Sequence, residues 1–406
     1  MANREAVWLS SRQASERLGV KLATLYAYAS RGLITSLPGE RPHARLYSRD
    51  DVERLRKRHD ARSGHGAVAA GALRFGEPVL ETSISDVGPD GPRYRGQSAA
   101  ELCRQGVSFE RVAELLWTGT LPEVAGPAAR LHHDPAQLWP LFAGRASLPK
   151  MALMLASLAL TDRDRHNASD AAEFARARTL FHRLAQAAGS RAPRRPAAVR
   201  VAGTLLVALR VPQKPELLSN VDSALVLCAE HELNASAFAA RVAASAGADL
   251  YACLGAAVNT LSGSAHGGMC ARVEALIASI ESKGRAARTV HEWLGRGEQI
   301  PGFGHPLYPN GDPRARLLVE LAKAHGARNE PAKIAFALLD AMARGGHPAP
   351  TLDAGLVTLC HCLELPPGSA GSIFAVGRCA GWVAHALEQR AAGYLLRPRA
   401  LYVGGK

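Results

Sequence analysis

The sequence predicts a mainly α-helical protein: a large helical body preceded by a small, basic helix-turn-helix unit. The chain has 406 residues, enough for two or three domains of ordinary size. Hydrophobic residues make up 47% and charged residues 21%, which is typical of a globular protein with a substantial core. Runs such as FAARVAASAGADLYACLGAAV, residues 238–258, carry apolar residues at helical spacing with few β-branched side chains.

The N-terminal unit begins with two helices. Ser10 can cap a first helix, and Gly19 is placed to end it. Leu22, Leu25 and Tyr28 repeat with the 3.6-residue period and predict a second helix directly afterwards. The segment LPGERPHARLYS then predicts a β-hairpin with a Pro-Gly turn.

A third helix follows the hairpin, because Ser48 and Asp51 form an acidic variant of the capping box. The order helix, helix, wing, helix resembles the winged helix of the MerR and excisionase type. Through residue 65, thirteen Lys or Arg residues stand against seven acidic ones. A docking or oligomerisation module is the alternative, but this surplus favours DNA contact through the second helix and the wing. The residues expected to make it are Lys21, Thr24, Tyr26, Arg41 and Arg45.

Composition also indicates where the chain divides. We assign residues 1–62 to the winged helix-turn-helix domain. Residues 63–75 are small, polar and rich in glycine, so they are expected to form a linker. Residues 76–406 then form the helical body, in which GSRAPRRP at 189–196 interrupts the helical pattern and predicts a surface loop.

Charge and cysteine usage limit the partners. The net charge of +13 indicates an anionic partner such as nucleic acid, a nucleotide-bearing ligand or a polycarboxylate. Seven cysteines without a CxxC pair argue against a disulfide framework, and CHC at 360–362 lacks a second ligand pair for a metal. No apolar run approaches the roughly 18 residues of a membrane span, and no secretory leader is visible. We expect a cytoplasmic protein without metal or membrane contact.

Three histidines and one aspartate stand out in the body. AEHELNAS holds His231, SGSAHGGMC holds His266, PGFGHPLYPNGDPRA holds His305, and APTLDAGL holds Asp353. A histidine beside glycine on a turn leaves room for a ligand to approach the ring. GGMCARVEALIASI resumes the helical period, so His266 is expected just before a helix N-terminus, where the dipole opposes protonation. A neutral, hydrogen-bond-donating ring suits a developing enolate.

Arginines supply a second constraint. Arg378 falls inside the apolar helical pattern of GSIFAVGRCAGWVAHALEQ, and no acidic residue lies within helical reach before Glu388. A guanidinium in that position needs a partner, so we expect a ligand carboxylate or, alternatively, a distant structural acid. Arg314 and Arg397 are candidates to join Arg378 in binding a dicarboxylate, because guanidinium forks match carboxylates better than lysine does.

The body resembles citrate synthase from about residue 76 to residue 406. TSISDVGPDGPRYRGQSAAEL is similar to that family's opening strand region, and SFERVAELLWTGTLP to its following helix. EHELNAS, HGG, PGFGH with GDPRA, an aspartate in the turn before a helix, FAVGRCAGWVAHALEQ and RPRALYVG then occur in family order. The resemblance implies a two-domain helical fold whose smaller, mobile domain spans roughly 268–358. Gly302, Gly304 and Gly311 are expected to give a loop of that domain the freedom to move.

The resemblance also implies a reaction: condensation of acetyl-CoA or propionyl-CoA with oxaloacetate to give citrate or 2-methylcitrate, without a cofactor. Asp353 would remove a proton from the acyl methyl group, and His266 would donate a hydrogen bond to the thioester oxygen. His305 would polarise the ketone of oxaloacetate, and hydrolysis of citryl-CoA would release the product. A homodimer is implied as well. The residues implied for the oxaloacetate carboxylates are His231, Arg314, Arg378 and, from a second subunit, Arg397.

The sequence departs from the family pattern where CoA is expected. Pro306 and Pro309 stand where the family usually carries basic residues that meet the CoA phosphates, and Thr351 stands where an asparagine is common. Two other activities remain open at this stage. A sensor would use the body to bind a metabolite and the winged helix to bind DNA, and a lyase would run the reaction backwards. Retention of Asp353 favours the synthase, because a sensor has no use for a base.

Overall fold

The computed structural model describes residues 8–39, 45–53, 55, 80–127, 136–192, 199–264 and 266–399. The chain divides into two compact units, Met1–Glu81 and Thr82–Lys406. Across these described ranges, none of the helices combines the length and apolar character needed to span a bilayer. Within the same ranges, no group of three His, Cys, Asp or Glu side chains is arranged to hold a metal ion.

The N-terminal unit contains the two predicted helices, α1 (Ser11–Leu18) and α2 (Leu22–Ser30). Ser10 caps α1 in a reciprocal capping box with Gln13, whose side chain accepts from the Ser10 N–H. Gly19 ends the helix in the left-handed conformation, with φ of 64°. The sequence therefore placed both helix boundaries correctly.

The predicted hairpin is also present, as β2 (Ser36–Pro38) and β3 (Arg45–Ser48). The predicted Pro-Gly turn was wrong, because Pro38 is the last residue of β2 and pairs with Arg45. Residues 40–44 of the connection lie outside the described residues. Strand β1 (Trp8–Ser10), which sequence analysis did not predict, adds to the other side of β3 and completes an antiparallel sheet in the order β1-β3-β2. The core beneath this sheet consists of Leu9, Ala14, Leu18, Leu25, Ile34, Tyr47 and Val52.

A helical segment at 49–53 follows the wing, as predicted, but its capping differs from expectation. Ser48 Oγ accepts from the Asp51 N–H at 3.4 Å, which is the expected half of the box. The reciprocal bond is replaced, because the Ser48 N–H donates to Thr35 O and Asp51 Oδ2 accepts from the Thr35 N–H. The carboxylate thus ties the third helix to the loop that precedes the wing.

The second unit opens with a small antiparallel meander of β4 (Ser85–Gly88), β5 (Gly91–Tyr94) and β6 (Gln97–Ser98). Helices make up the rest, as predicted. Their bounds are α3 (Ala99–Arg104), α4 (Phe109–Thr118), α5 (Trp139–Phe142), α6 (Ser147–Thr161), α7 (Asp170–Ala187), α8 (Val201–Ala208), α9 (Pro215–Cys228), α10 (Ala235–Ser245), α11 (Leu250–Leu261), α12 (Met269–Ser279), α13 (Ala286–Gly295), α14 (Pro313–His325), α15 (Glu330–Arg344), α16 (Leu352–Cys362) and α17 (Ser369–Ala392).

Helix α17 runs through the core and positions the residues that matter below. Trp382 on this helix is completely buried, and small side chains allow neighbouring backbone to approach. A Cβ at Gly377 would lie 2.8 Å from Leu225 O of α9, and a Cβ at Gly381 would collide with the Glu230 carboxylate. The absence of these two Cβ atoms therefore brings the end of α9, and the turn that follows it, against the centre of α17.

Candidate active site

Three rings meet where α9 ends and the 301–312 loop begins. His231 and His305 stand perpendicular, with ring centroids 5.6 Å apart. Tyr308 is buried against both, and its hydroxyl lies 3.0 Å from His231 Nε2. The structure therefore brings together two histidines that are 74 positions apart in the chain.

The 301–312 loop is bound to the segment that leads into α16. Gly302 O accepts from the Thr351 N–H at 2.8 Å, and the Gly304 N–H donates to Ala349 O at 2.9 Å. Gly302 and Gly304 have φ of 83° and 80°, values that favour glycine. Since Asp353 is only two residues beyond Thr351, the loop with His305 and the turn with Asp353 are held to one another.

A backbone hydrogen bond determines which nitrogen of His305 carries its proton. The Leu307 N–H donates to His305 Nδ1 at 3.2 Å, so Nδ1 is an acceptor. Burial and the nearby Arg314 lower the pKa of His305, which keeps the ring neutral at physiological pH. The remaining proton is then on Nε2, where it is available for donation to a ligand.

Arg314 lies in the first turn of α14 and is almost completely buried. Its Nε and Nη2 donate to Asp312, the N-cap of the same helix, at 3.0 and 2.8 Å. Burial opposes the charge, but Asp312 outweighs it and raises the pKa of Arg314. Nη1 is buried and has no hydrogen-bond partner among the described residues. A buried guanidinium N–H without an acceptor is costly, and a ligand carboxylate would satisfy it.

Arg378 is buried in the middle of α17, as the helical pattern predicted. Its Nε donates to Cys228 O at the end of α9 at 2.7 Å, and the guanidinium carbon lies 4.7 Å from the centroid of the Phe374 ring. Burial lowers the pKa of Arg378, and Glu230 acts in the opposite direction. In the described part of the chain no carboxylate forms an ion pair with it, so its terminal N–H groups are left for a ligand.

His266 is part of a hydrogen-bonded chain that starts at α17. Its Nε2 lies 2.8 Å from Ser236 Oγ, and Trp382 Nε1 donates to the same oxygen at 3.0 Å. Burial, followed by the charge of Arg378, lowers the pKa of His266 to about 4. The prediction of a neutral ring before a helix is thus supported, but burial and Arg378 are the physical causes, whereas the helix dipole was expected.

Asp353 is the second residue of α16 and lies in its first turn, whereas the sequence suggested a position in the turn before the helix. Its Oδ1 accepts from Cys270 Sγ at 3.1 Å, and its Oδ2 lies 3.4 Å from Thr351 Oγ1. Burial raises the pKa of Asp353, while the Cys270 bond and the charge of Arg314 oppose that rise. The carboxylate is therefore more basic than usual.

Two guanidinium groups connect all of these side chains electrostatically. The pKa of His231 is lowered well below its ordinary value by burial, then by Arg314 and Arg378. Arg378 also acts on His266, and Arg314 also acts on His305 and Asp353. Six predicted residues thus share one buried, positively charged region, which suits a dicarboxylate beside a carbon acid.

A comparison with known families decides the identity of this unit. The sequence model described as "Citrate synthase, C-terminal domain" matches residues 74–399. The chain belongs to the citrate synthase family. It is therefore an acyltransferase that condenses an acyl-CoA with oxaloacetate. The model described as "MerR HTH family regulatory protein" matches residues 9–66, so this citrate synthase carries an additional helix-turn-helix region at its N-terminus.

Individual relatives agree with this assignment. A putative citrate synthase 2 of Mycobacterium tuberculosis is 32% identical over 81% of this chain and 91% of its own length. A 2-methylcitrate synthase of Shewanella oneidensis is 29% identical over 82% and 95%. Among solved structures, citrate synthase from Pyrobaculum aerophilum has 25% identity and a TM-score of 0.69, covering 83% of this chain and 92% of that one.

Four residues of the buried cluster were not predicted from the sequence. Tyr308 and Asp312 lie in the quoted loop and bind His231 and Arg314. Ser236 and Cys270 lie at the edges of the quoted EHELNAS and HGGMC segments and bind His266 and Asp353. All four lie close in sequence to a predicted residue, which was a signal. Nothing in the sequence, however, shows which side chain each of them contacts.

Arg397 and the winged-helix residues complete the set of predicted positions. Arg397 is exposed after α17, and no contact joins it to the buried cluster in the described part of the chain. Lys21 and Arg45 are exposed, Tyr26 on α2 is 50% exposed, and Thr24 is partly buried. Arg41 lies outside the described residues.

Proposed function

We propose that the buried cluster is the active site of the condensation reaction, with one role for each residue. The observation that carries the proposal is the convergence of Asp353, a basic buried carboxylate, and His266, a neutral imidazole, around Arg378 and Arg314. One group removes a proton, and the other stabilises the oxygen on which the charge develops.

Oxaloacetate is proposed to bind first, through its two carboxylates. The unsatisfied Nη1 of Arg314 and the terminal N–H groups of Arg378 are buried donors for which a carboxylate is the matched acceptor. His231 is proposed to add a third contact through Nε2, which Tyr308 occupies in this structure. The ketone of oxaloacetate then lies at His305, whose Nε2–H polarises it.

The chemical step starts at the acyl-CoA. Asp353 takes a proton from the carbon next to the thioester, and His266 donates to the thioester oxygen as the enol forms. The enol carbon attacks the ketone carbon of oxaloacetate and a carbon–carbon bond forms. The enol oxygen returns its proton to His266 as the thioester carbonyl is restored, and the ketone oxygen takes up the proton that His305 supplies. Water then cleaves the thioester of the citryl-CoA, which releases free CoA and the tricarboxylate.

The donor atom of His266 follows from its neighbours. The Ser236 hydroxyl carries one proton and has two acceptors in reach, Asn234 Oδ1 at 2.7 Å and His266 Nε2 at 2.8 Å, while its oxygen accepts from Trp382 Nε1. Because Asn234 Oδ1 already accepts from the backbone N–H groups of Ser236 and Ala237, we propose that the hydroxyl turns from Asn234 to His266 Nε2 when substrate is bound, which leaves the ring proton on Nδ1. We assign Nδ1–H as the donor to the thioester oxygen.

Substrates are proposed by analogy with relatives and neighbours. A citrate synthase from Thermoplasma acidophilum, with 21% identity and a TM-score of 0.69, was solved in ternary complex with carboxymethyl coenzyme A and oxaloacetate. Acetyl-CoA and propionyl-CoA differ by one methylene, worth about 1 to 3 kcal/mol in a pocket. The 2-methylcitrate synthase relative keeps propionyl-CoA as a candidate beside acetyl-CoA. No further cofactor takes part in the proposed steps.

We also propose the assembly and the compartment. A homodimer in which Arg397 completes the partner's site would explain why this arginine is exposed in the single chain. Residues 268–358 are proposed to form a small mobile domain that closes over the substrates and excludes water. All seven cysteines are free thiols, which supports a reducing cytoplasm.

For the N-terminal region, we propose that residues 1–62 form a DNA-binding winged helix joined by residues 63–75 to the body at 76–406. The exposed Lys21, Tyr26 and Arg45 support contact with phosphates and base edges. A sensor without catalysis is not favoured, because the base Asp353 and its partners are intact.

A thiol-release assay tests the catalytic proposal. CoA release is measured with oxaloacetate and either acetyl-CoA or propionyl-CoA, for the wild type and for Asp353→Ala. Loss of a general base is expected to reduce kcat at least about 10²-fold. CoA release that survives the substitution removes the assignment of the base.

A gel shift with random-sequence duplex DNA tests the winged helix. Full-length Lys21→Ala/Arg45→Ala is compared across a salt series with Lys214→Ala/Lys283→Ala, a matched loss of two exposed charges on the second unit. Phosphate contacts make affinity fall with salt, and only the first variant should weaken binding. Equal binding by wild type and both variants excludes this surface as the DNA site.

A further inference from the structure

Cys270 contacts the catalytic base directly, and no step of the reaction has yet used it. It is the second residue of α12, and its side chain is 2% exposed. Sγ lies 3.1 Å from Oδ1 of Asp353, the second residue of α16, so the first turns of two helices meet at this carboxylate. The other oxygen, Oδ2, has a longer 3.4 Å contact with Thr351 Oγ1, and the backbone N–H of Asp353 also bonds the carboxylate.

The charged and titratable groups that act on Asp353 lie on three elements near it. Arg314 opposes the rise in the pKa of Asp353 that burial causes, and Asp312 adds to it. The groups concerned are Cys270 of α12, Arg314 and Asp312 at the start of α14, and Cys228 at the end of α9. Of these four groups, the Cys270 thiol donates a hydrogen bond to the carboxylate.

The chemistry of the thiol suits a base. A strong donor such as a backbone N–H or a hydroxyl stabilises the ionised carboxylate and reduces its basicity. A thiol is a weak donor, so it restricts the side chain while removing less of that basicity. Burial and the adjacent Asp353 raise the pKa of Cys270 well above its ordinary value, so the thiol keeps its proton at every pH at which the enzyme is assayed.

We propose that Cys270 is a positioning residue for the catalytic base: its S–H bond to Oδ1 holds the carboxylate of Asp353 so that Oδ2 is the oxygen that takes the proton from the acyl-CoA. This inference rests on the proposed condensation mechanism. Cys270 itself touches neither substrate nor the reacting atoms, and its effect passes through Asp353. Oxidation or alkylation of the thiol has no part in the proposal, because the side chain is buried and protonated.

The test compares Cys270→Ala with Cys270→Ser in the full chain, by the pH dependence of kcat/KM for acyl-CoA. Alanine removes the donor, so the pKa of the base rises and the acid limb of the profile moves up by roughly half a unit to one unit. The carboxylate is also free to rotate, so kcat falls about tenfold or more. Serine restores a donor, so the acid limb of the Cys270→Ser profile stays at or below the pH of the wild-type limb, and kcat recovers. KM for oxaloacetate stays unchanged in both variants.

A matched control separates positioning from packing. Cys253 on α11 is also completely buried, and its thiol donates to Ala248 O, outside the active site. Cys253→Ala removes a buried thiol of the same size and is expected to lower the unfolding midpoint without moving the acid limb. Thermal unfolding of all three variants shows how much of any loss in kcat comes from misfolded enzyme.

The outcomes distinguish a failure of the proposed condensation reaction from a failure of the positioning role of Cys270. If the wild type releases no CoA with either acyl-CoA, the proposed function and this inference are both overturned. If the wild type is active and the Cys270→Ala limb coincides with the wild-type limb, or Cys270→Ala and Cys270→Ser shift alike, only the positioning role is overturned. A limb that rises for alanine and not for serine supports it.

Discussion

Ser236 is expected to control the proton on His266, and Ser236→Ala tests this. The hydroxyl is completely buried among His266 Nε2 at 2.8 Å, Trp382 Nε1 at 3.0 Å and Asn234 Oδ1 at 2.7 Å. Removing it leaves Nε2 without the donor that places the ring proton on Nδ1. The ring can then carry the proton on either nitrogen, and only one of the two forms is able to donate to the thioester oxygen.

Two separate losses are expected. The tautomer preference that one hydrogen bond provides is about 1 kcal/mol, so the ratio of the two tautomers should change about fivefold and kcat should fall about twofold. Trp382 Nε1 is buried and loses its acceptor, which should lower the free energy of unfolding by about 1 to 3 kcal/mol. KM for oxaloacetate should not change, because Ser236 binds the imidazole and none of the carboxylate-binding arginines.

The assay is steady-state CoA release together with urea denaturation. Ser372→Ala is the matched control: Ser372 is also buried, on α17, and bonds Ser147 Oγ and Gly368 O. It should lose stability and keep kcat. A Ser236→Ala enzyme that is destabilised but turns over at the wild-type rate would refute the assignment of Nδ1 as the donor.

Three further predictions concern the arginines and a buried acid. Arg378→Lys should raise KM for oxaloacetate about tenfold or more in steady-state kinetics. The reason is that one ammonium group cannot keep the bond to Cys228 O and also bind a carboxylate. An unchanged KM argues against Arg378 as a ligand for oxaloacetate. If Arg397 completes the partner's site, mixing inactive Arg397→Ala and Asp353→Ala subunits should restore about a quarter of wild-type activity, since a mixed dimer keeps one intact site; no recovery despite confirmed subunit exchange excludes that role. Burial, and then Glu110, raise the pKa of Asp222 to about 7. The folded state holds this proton more tightly than the unfolded chain, so stability should decline by about 4 kcal/mol as pH rises from roughly 4 to 7; urea midpoints of Asp222→Asn should lose that decline, and an equally steep one in the variant would contradict it.

Local features of the chain were predictable because local interactions produce them. The Ser10 capping box and the left-handed Gly19 depend on residues within one helical turn, and both were present as expected. Strand β1 was missed, because three residues carry too little periodicity and pair only with β3, which lies far along the chain. A partner outside the local segment also explains the change in the Ser48 capping box. The Ser48 N–H and the Asp51 carboxylate bond Thr35, whereas the sequence predicted that they would bond each other.

In the candidate site, too, the residues were predictable from the sequence, but the distant groups that act on them were not. His266 was correctly expected to be neutral, yet the helix dipole was the wrong cause, since burial and Arg378 from a distant helix lower its pKa. Arg314 was expected to help bind a dicarboxylate, and nothing in the sequence indicated that Asp312 would bind part of its guanidinium. In the structure, two of its nitrogens bind Asp312 and only Nη1 is left unsatisfied.

By itself, the sequence determined where helices start and stop, which residue types are present, and which family the body resembles, because caps, periodicity and ordered segments are properties of neighbouring residues. Only the tertiary structure decided that Cys270 meets Asp353, that Ser236 meets His266 and that Tyr308 meets His231. These pairs are 30 to 83 positions apart. Their contacts depend on how α9, α10, α12, α16 and α17 pack, and that packing is set by the buried surface of the whole unit, which no short segment encodes.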